Sequence, residues 1–234
     1  MFRYLGVALV CCFSSPSYCA NSQLSVFTEH FPPYTIVTDG QAHSGIAYEL
    51  VKNALDIAKF DSSIDVVPWA RAYELTLTQS NVVLFSMAKT QQRAPLFNWL
   101  YKFTTLEYSF YSDRDTDVEI NSVKDALTYS TVAIRGSYEE TILQSMGFVV
   151  GINLVLVTDM DSAWQMLDKG RVKTIYASHI PNHRHTAAKI SYFRHNEVVR
   201  NQELYVVASL STPISTVNKL KQALLLAHAQ MKSD

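Results

Sequence analysis

The sequence predicts an α/β protein made of two similar units, each a mixed sheet with covering helices. Short apolar runs of strand length alternate with amphipathic stretches of helical spacing in both halves of the chain. The chain has 234 residues, of which 48% are hydrophobic and 18% are charged, so it can bury a sizeable core. Two α/β units in one chain of this length place a cleft between them, and such a cleft is a common position for a ligand.

The net charge of the chain limits the classes of binding partner that it is expected to have. A formal net charge of −1 argues against a general nucleic-acid surface, which needs an excess of basic residues. We therefore expect a small-molecule ligand and no nucleic-acid partner, and no motif indicates a cofactor.

Residues 1–20 have the layout of a secretory signal peptide. Arg3 precedes the apolar core Leu5–Phe13, and a segment rich in small residues runs to Ala20. Cleavage is expected after Cys19 or after Ala20. The apolar core is too short to span a membrane. All three cysteines lie at or before Cys19, so we expect an exported, disulfide-free protein, as fits a bacterial periplasm.

Three apolar runs predict strands in the first half, and two stretches of helical spacing predict helices between them. The strands are Leu24–Thr28, Ile64–Val67 and Val82–Phe85, and the helices are Gly45–Phe60 and Trp69–Leu77. The order β-α-β-α-β is typical of a mostly parallel sheet with helices on its faces. Ligand sites in such sheets lie beyond the carboxyl ends of the strands. Three segments are therefore expected to share one rim: Glu29–Phe31, Pro68–Arg71 and Ser86–Arg93.

The second half repeats this alternation. Its predicted strands are Thr104–Tyr111, Thr131–Ile134, Leu154–Val157, Val172–Ala177 and Leu204–Ser209. Its predicted helices are Ser122–Leu127, Tyr138–Met146, Met160–Lys169 and Ile214–Met231. Ser122 is expected to cap the first of these helices, and Gly147 and Gly170 are expected to end the next two.

The segment Phe85–Trp99 carries the first candidate site residue, Arg93. Small and hydroxyl side chains precede this arginine at Ser86, Ala88 and Thr90. A guanidinium binds a carboxylate through two parallel hydrogen bonds, and hydroxyls and backbone N–H groups can supply further donors. From residue type alone the alternative is a solvated surface arginine, since charged side chains mostly lie in water.

Several segments, in their order and spacing, resemble the bacterial extracellular solute-binding proteins of the polar amino-acid type (solute-binding family 3). They are LSVFTEHFPPY with HSGIAYELV, VVPWARAYELTL, FSMAKTQQRAPLFNW, VAIRGSYEE, LDKGRVKTIYA and ELYVVASLSTP. The resemblance implies a two-lobe periplasmic-binding-protein fold of type II, which closes on a ligand by a hinge motion. It places lobe 1 at 21–103 and 203–234, lobe 2 at 106–200, and crossing strands near 104–105 and 201–202.

The resemblance also assigns ligand roles to individual positions. Thr90-Gln91-Gln92-Arg93 matches the T-x-x-R pattern of the family's carboxylate-binding arginine, which favours a ligand role for Arg93. Ser86 and Ala88 fall where the family contacts its ligand through hydroxyl or backbone groups. Phe31 falls on the aromatic residue that packs against the ligand.

The family's ligand-binding pattern in the second half of the chain is only partly present in this sequence. Gly136-Ser137 corresponds to a Gly-Ser/Thr pair whose backbone N–H groups complete an anion site at a helix start. The family's acid for a substrate ammonium is replaced by Ser178, and Lys173 stands where the same segment would carry an aspartate. Such a lost bond costs about 1.5–3 kcal/mol, so a standard α-amino acid is not expected as the ligand. Glu29 could supply a carboxylate from the other rim.

Trp69 and Arg71 each have two open interpretations. Trp69 either stacks on the ligand or covers the core of the first lobe. Arg71 is either a second anion contact or the partner of Glu74 three residues along a helix.

The histidines His179, His183 and His185 lie close together, as zinc ligands do. No carboxylate or cysteine lies among them, and Pro181 breaks any helix that would align two ligands. We expect no metal site.

We expect a periplasmic solute-binding protein that captures a small polar or carboxylate-bearing solute for ABC-type import. It would act as a monomer, with an inner-membrane permease or a sensor as partner. One alternative is a non-transport accessory or sensory protein with a degenerate pocket. The other is a dehydratase-like enzyme on the same scaffold, with Glu29 or His30 as acid or base. No ordered catalytic motif is visible, so we expect a protein that is not an enzyme.

Overall fold

A computed structural model describes residues 24–179 and 192–232. The predicted leader, 1–20, and the histidines His183 and His185 lie outside the described residues. Within the described ranges, no helix is both long and apolar enough to cross a membrane.

The first half forms the predicted strands and helices, together with a hairpin that was not predicted. In chain order its elements are β1 (Ser25–Thr28), β2 (Ile36–Thr38), β3 (Gln41–Ser44), α1 (Ile46–Ile57), β4 (Ile64–Val66), α2 (Trp69–Thr78) and β5 (Val82–Ala88). β2 and β3 pair as the hairpin. β1 lies between β4 and β5 and runs parallel to both, so the carboxyl ends of all three strands share one edge.

The second half keeps the predicted alternation. Its elements are β6 (Phe97–Asp113), α3 (Val123–Ala126), β7 (Thr131–Ile134), α4 (Tyr138–Met146), β8 (Leu154–Val157), α5 (Met160–Asp168), β9 (Thr174–Ala177), β10 (Tyr192–Ser209) and α6 (Ile214–Met231). Ser122, Ser137 and Asp159 cap α3, α4 and α5, because their side-chain oxygens accept the N–H three residues ahead. Gly147 ends α4 in the left-handed conformation, with φ 105°.

Two long antiparallel strands join the halves. β6 and β10 pair from Phe97 opposite Ser209 to Asp113 opposite Tyr192. On one side β10 pairs with β5, and on the other side β6 pairs with β9, which gives the strand order β4-β1-β5-β10-β6-β9-β7-β8. We call the unit built on β1, β4 and β5 the first lobe, and the unit built on β7, β8 and β9 the second lobe.

The sequence underestimates the strands near this junction. β5 continues past Phe85 to Ala88, and β10 begins at Tyr192 rather than at Leu204. Strand length here depends on backbone hydrogen bonds to a neighbouring strand, so polar residues in the ladder do not end it.

The helices α1 and α6 cover one face of the first lobe's strands. Leu50 and Leu55 of α1 pack with Leu220 and Leu224 of α6 in one buried cluster. Ile46 is 51% exposed, because it begins the helix at the edge of this contact.

Candidate functional site

The carboxyl ends of the first lobe's strands meet the start of α4 from the second lobe. A cavity of about 20 Å³ lies between them, with room for about one water molecule. Its lining residues are Glu29, Phe31, Trp69, Ser86, Ala88, Arg93, Tyr108, Ile134, Ser137, Tyr138, Glu139 and Met160.

Arg93 is the most buried charged side chain of this cavity, with 5% of its surface exposed. Its Nη2 donates to the Gly136 carbonyl oxygen at 3.0 Å, and its Nη1 lies 3.4 Å from the Ala88 carbonyl oxygen. The guanidinium also lies over the rings of Trp69 and Tyr73, at 5.7 and 5.2 Å from the ring centroids. Burial lowers the pKa of Arg93 from its usual value. Arg93 is therefore a buried arginine and not a solvated surface arginine.

A second donor from the first lobe reaches the same carbonyl. Trp69 Nε1 donates to the Gly136 oxygen at 2.9 Å. Gly136 has φ 72°, a conformation that glycine adopts without strain. We call this pair of hydrogen bonds, from Trp69 and Arg93 to Gly136, the interlobe latch.

The amides of Gly136 and Ser137, which the resemblance assigns to an anion, are bonded within the protein. The Gly136 N–H donates to the Glu140 carboxylate, and the Ser137 N–H donates to the Ile134 carbonyl oxygen at 3.1 Å. Ser137 lines the cavity and caps α4 by accepting the Glu140 N–H. In this closed arrangement Gly136 presents its carbonyl to the cleft instead of its N–H.

Ser86 lies in the cavity wall with an unusual backbone and an unused hydroxyl. Its φ is 64°, in the left-handed region that is strained for a residue with a side chain. Its side chain is only 9% exposed, and its Oγ has no hydrogen-bond partner among the described residues. A buried polar group without a partner is a recurrent mark of a ligand site.

Two acidic side chains face the cavity from opposite lobes. Desolvation, together with the charges of Glu139 and Asp159, raises the pKa of Glu29 to about 8. Burial also raises the pKa of Glu139. Hydrogen bonds from its own N–H and from Ser137, and the charge of Arg93, act in the opposite direction and favour the charged form. The carboxyl of Glu29 is therefore mostly neutral at pH 7.

Two of the predicted site residues lie elsewhere. Arg71 is exposed and forms an ion pair with Glu74 at 3.1 Å, which is the second of its two interpretations. Ser178 bonds His179 Nδ1 at 2.9 Å and is not part of the cavity wall.

Four further residues of the cavity wall were not predicted from the sequence: Tyr108, Ile134, Glu139 and Met160. Glu139 is the second residue of α4, beside the buried Tyr138. In the sequence, Glu139 is marked by a pair of acidic residues after a helix cap. This pattern is equally typical of an exposed first turn of a helix, so it does not indicate a site residue.

His179 belongs to an aromatic group at the edge of the cavity. Its ring lies 5.6 Å from the ring of Phe31 and 6.4 Å from that of Tyr34. Burial lowers the pKa of His179. Over the described part of the chain, no group of three or more His, Cys, Asp or Glu side chains is arranged to hold a metal ion.

An open groove of about 550 Å³ adjoins the cavity, because Tyr138 lines both. Lys89 and Arg200 line the groove and are both exposed. The groove therefore brings positive charge to one side of the cleft.

Comparison with known proteins identifies the fold. No family model matches the sequence. No curated protein matches it either. A histidine kinase sensor domain with similarity to periplasmic binding proteins matches in structure with a TM-score of 0.78 at 14% identity, over 90% of this chain and 92% of that chain.

Two amino-acid-binding proteins match to a similar degree. The arginine-, lysine-, histidine-binding protein ArtJ from Geobacillus stearothermophilus has a TM-score of 0.77 at 12% identity, over 90% of this chain and 91% of that one. A mutant of ArgBP from T. maritima has a TM-score of 0.76 at 14% identity, over 90% of both chains. This chain therefore has the two-lobe periplasmic-binding-protein fold, as the sequence predicted.

Proposed function

We propose that this chain is a solute-binding protein whose lobes close on a small polar solute that carries a carboxylate. We place it in solute-binding family 3 as a divergent member, exported to the periplasm by its predicted leader. For the lobes we propose the bounds 21–103 with 203–234 and 106–200. The protein acts as a monomer and passes its solute to an inner-membrane permease for ABC-type import.

The guanidinium of Arg93 is the observation that carries this proposal. Its hydrogen-bond partners among the described residues include the carbonyls of Gly136 and Ala88, the sulfur of Met87 and the side chain of Tyr73. None of these is a carboxylate, and Glu139 acts on the guanidinium through its charge. A buried cation usually has an anionic partner, since its burial is costly without one. A carboxylate from a solute would supply that partner and would fit the planar fork of the guanidinium.

The interlobe latch explains how a protein with such a small cavity takes up a solute. The Gly136 oxygen occupies the acceptor position on Arg93 that a solute carboxylate would take. Opening of the lobes breaks the latch, and the solute oxygen then replaces the carbonyl as the lobes close again. The positively charged groove beside Tyr138 draws a carboxylate towards the opening cleft.

A second candidate function is a sensory or accessory protein that does not carry a solute. The observation in its favour is the closed cleft itself, where the protein's own Gly136 carbonyl fills the acceptor position and the cavity holds about one water molecule. In this case the latch would be the resting state, and a partner protein, not a solute, would respond to its opening.

The test is a screen of the purified mature protein by thermal shift and calorimetry. The panel contains amino acids, dicarboxylates, aromatic acids and polyamines. A true ligand at about 100 times its Kd stabilises the folded state by roughly 2.7 kcal/mol. No shift with any solute overturns the proposed function and supports the second candidate, whereas turnover of a bound acid would indicate the enzyme alternative.

Arg93→Ala and Arg93→Lys then test the site, with the exposed Arg71→Ala as the matched control. Both Arg93 variants should lose about tenfold or more in affinity for a carboxylate solute, because alanine removes the charge and lysine removes the fork. Arg71→Ala should bind as the wild type does. Circular dichroism establishes that each variant is folded, and unchanged affinity in folded Arg93→Lys and Arg93→Ala would refute the site.

A further inference from the structure

The open groove beside the cavity carries positive charge that its own wall does not neutralise. Lys89 and Arg200 line the groove, and none of the described residues in its wall is acidic. Among the described residues, neither cation takes part in an ion pair with a carboxylate. Arg93 is not part of this wall, so the groove is separate from the position at Arg93. A negative group placed in the groove would therefore gain from the charge around it.

Glu203 is an acid whose charge acts on Lys89, but its carboxylate is already bonded. One of its oxygens accepts from Lys102 Nζ, and the other accepts from the Tyr205 hydroxyl at 2.8 Å. The ammonium of Lys89 lies instead over the rings of Trp99 and Tyr205, at 5.2 and 5.0 Å from the ring centroids. These ring contacts hold the ammonium in place while its N–H groups can still donate to an anion.

Hydrogen bonds within the protein give the groove a fixed floor. The Gln202 side chain is buried and donates to the carbonyl oxygens of Lys89 and Glu203 at 2.8 and 3.0 Å. The Thr90 hydroxyl accepts the Arg93 N–H at 3.2 Å, so its own O–H can donate into the groove. Cationic and hydroxyl donors on a fixed floor suit the oxygens of a carboxylate or a phosphate.

The wall of the groove comes from both lobes. Lys89 follows β5 of the first lobe, and Tyr138 and Ile142 belong to α4 of the second lobe. Arg200 lies on β10, one of the two strands that join the lobes. Tyr138 also lines the cavity that Arg93 lines. A solute held at Arg93 can therefore extend past the Tyr138 ring into the groove.

We propose that this groove is a second anion site, which binds a carboxylate or phosphate group through Lys89 and Arg200. The bound group is either the far end of the solute that Arg93 holds or a free anion. The first source rests on the proposed function and narrows the solute to a molecule with two acidic ends. The second source needs no solute at Arg93.

Inorganic phosphate tests the groove independently of the proposed function. Thermal unfolding of the mature protein is followed in phosphate and in chloride at equal ionic strength. Wild-type protein should gain more in Tm from phosphate than Lys89→Gln or Arg200→Gln, because each variant removes one cation. Calorimetry should show a loss of about tenfold or more in phosphate affinity in both variants.

Lys52→Gln is the matched control for these variants. Lys52 is also exposed, and its ammonium also lies over a ring, that of Tyr48, at 5.9 Å. The control should gain as much in Tm as the wild type, and it corrects for the general stabilisation of folded proteins by phosphate. Equal gains in the control and in both groove variants would overturn the free anion as the source.

Pairs of acids with equal chain length test the solute as the source. The pairs are succinate with butyrate, glutarate with valerate, and adipate with hexanoate, so each pair differs in one carboxylate at the far end. The diacid of at least one pair should bind wild type about tenfold or more tightly by calorimetry. This advantage should disappear in Lys89→Gln and Arg200→Gln and should remain in Lys52→Gln.

The outcomes separate the groove from the proposed function. Equal binding within every pair, or an advantage that persists in both groove variants, would overturn the solute as the source. If phosphate also fails to distinguish the groove variants from Lys52→Gln, the anion site itself is refuted. Binding of none of the acids would count against the proposed function, and the phosphate result would still decide whether the groove binds an anion.

Discussion

The raised pKa of Glu29 makes the stability of the closed protein depend on pH, and Glu29→Gln should remove that dependence. The carboxyl has a pKa of about 8 in the closed cleft and a usual value of 4.5 in water. The folded state therefore holds a proton that the unfolded chain releases above pH 4.5. Stability from this group is complete below 4.5 and is lost as the pH rises to about 8.

The size of the effect follows from the width of that window. Each pH unit inside it costs about 1.4 kcal/mol, so raising the pH from about 5.5 to about 7.5 costs wild-type protein about 3 kcal/mol relative to Glu29→Gln. For a chain of this size that corresponds to roughly 6–12 °C in Tm. Opening of the cleft rehydrates the carboxyl as unfolding does, so the loss reaches this size only while the lobes stay closed.

The assay is thermal unfolding of wild type, Glu29→Gln and the control Glu74→Gln at both pH values. Small-angle scattering of the same samples shows whether the lobes open before they unfold. The difference in Tm between wild type and Glu29→Gln should shift in favour of the variant as the pH rises. Glu74 is exposed, so its variant should track the wild type. A constant difference between wild type and Glu29→Gln, with no change in scattering, would show that the closed cleft does not raise the pKa of Glu29.

Two further predictions concern the latch and the entry to α1. Trp69→Phe keeps an aromatic ring but removes the N–H that donates to Gly136, so the closed state should lose about 0.5–1.5 kcal/mol of stability. Distances between labels on the two lobes should then become longer. An unchanged distance distribution would show that the latch does not hold the lobes together. Gly45→Ala should destabilise the fold by about 2–4 kcal/mol in chemical denaturation, because its φ is 121° and a Cβ would overlap the Tyr34 carbonyl. Gly40→Ala, at φ 77° with open space around it, should cost only about 1–2 kcal/mol, and equal losses in the two variants would contradict this account.

The acids of the cleft bear on the expectation about the ligand. From the sequence a standard α-amino acid is not expected, because Ser178 stands where the resemblance implies an acid. In the structure Glu139, from another element of the second lobe, faces the cavity.

The order of strands and helices could be predicted from the sequence, because periodicity and turn residues are local. Thr131–Ile134, Tyr138–Met146 and Ile214–Met231 have the predicted bounds, and the cap at Ser122 is the predicted one. The strands β6 and β10 exceed their predicted lengths, since their extent is set by pairing with each other across the lobes.

The two arginines of the first lobe, Arg71 and Arg93, look alike in the sequence and differ in the tertiary structure. Arg71 and Arg93 each follow a predicted strand and were both candidates for an anion site. Arg71 is exposed on α2 beside Glu74, whereas Arg93 is covered by Trp69 and by the second lobe at Gly136. Local patterns in the sequence are enough to predict the alternating α/β elements, the rim on which the candidates lie and the match that favours Arg93. Which side chains the cleft desolvates depends on tertiary contacts, because the burial of Arg93, Glu29 and Glu139 requires a lobe that is distant in the chain and close in space.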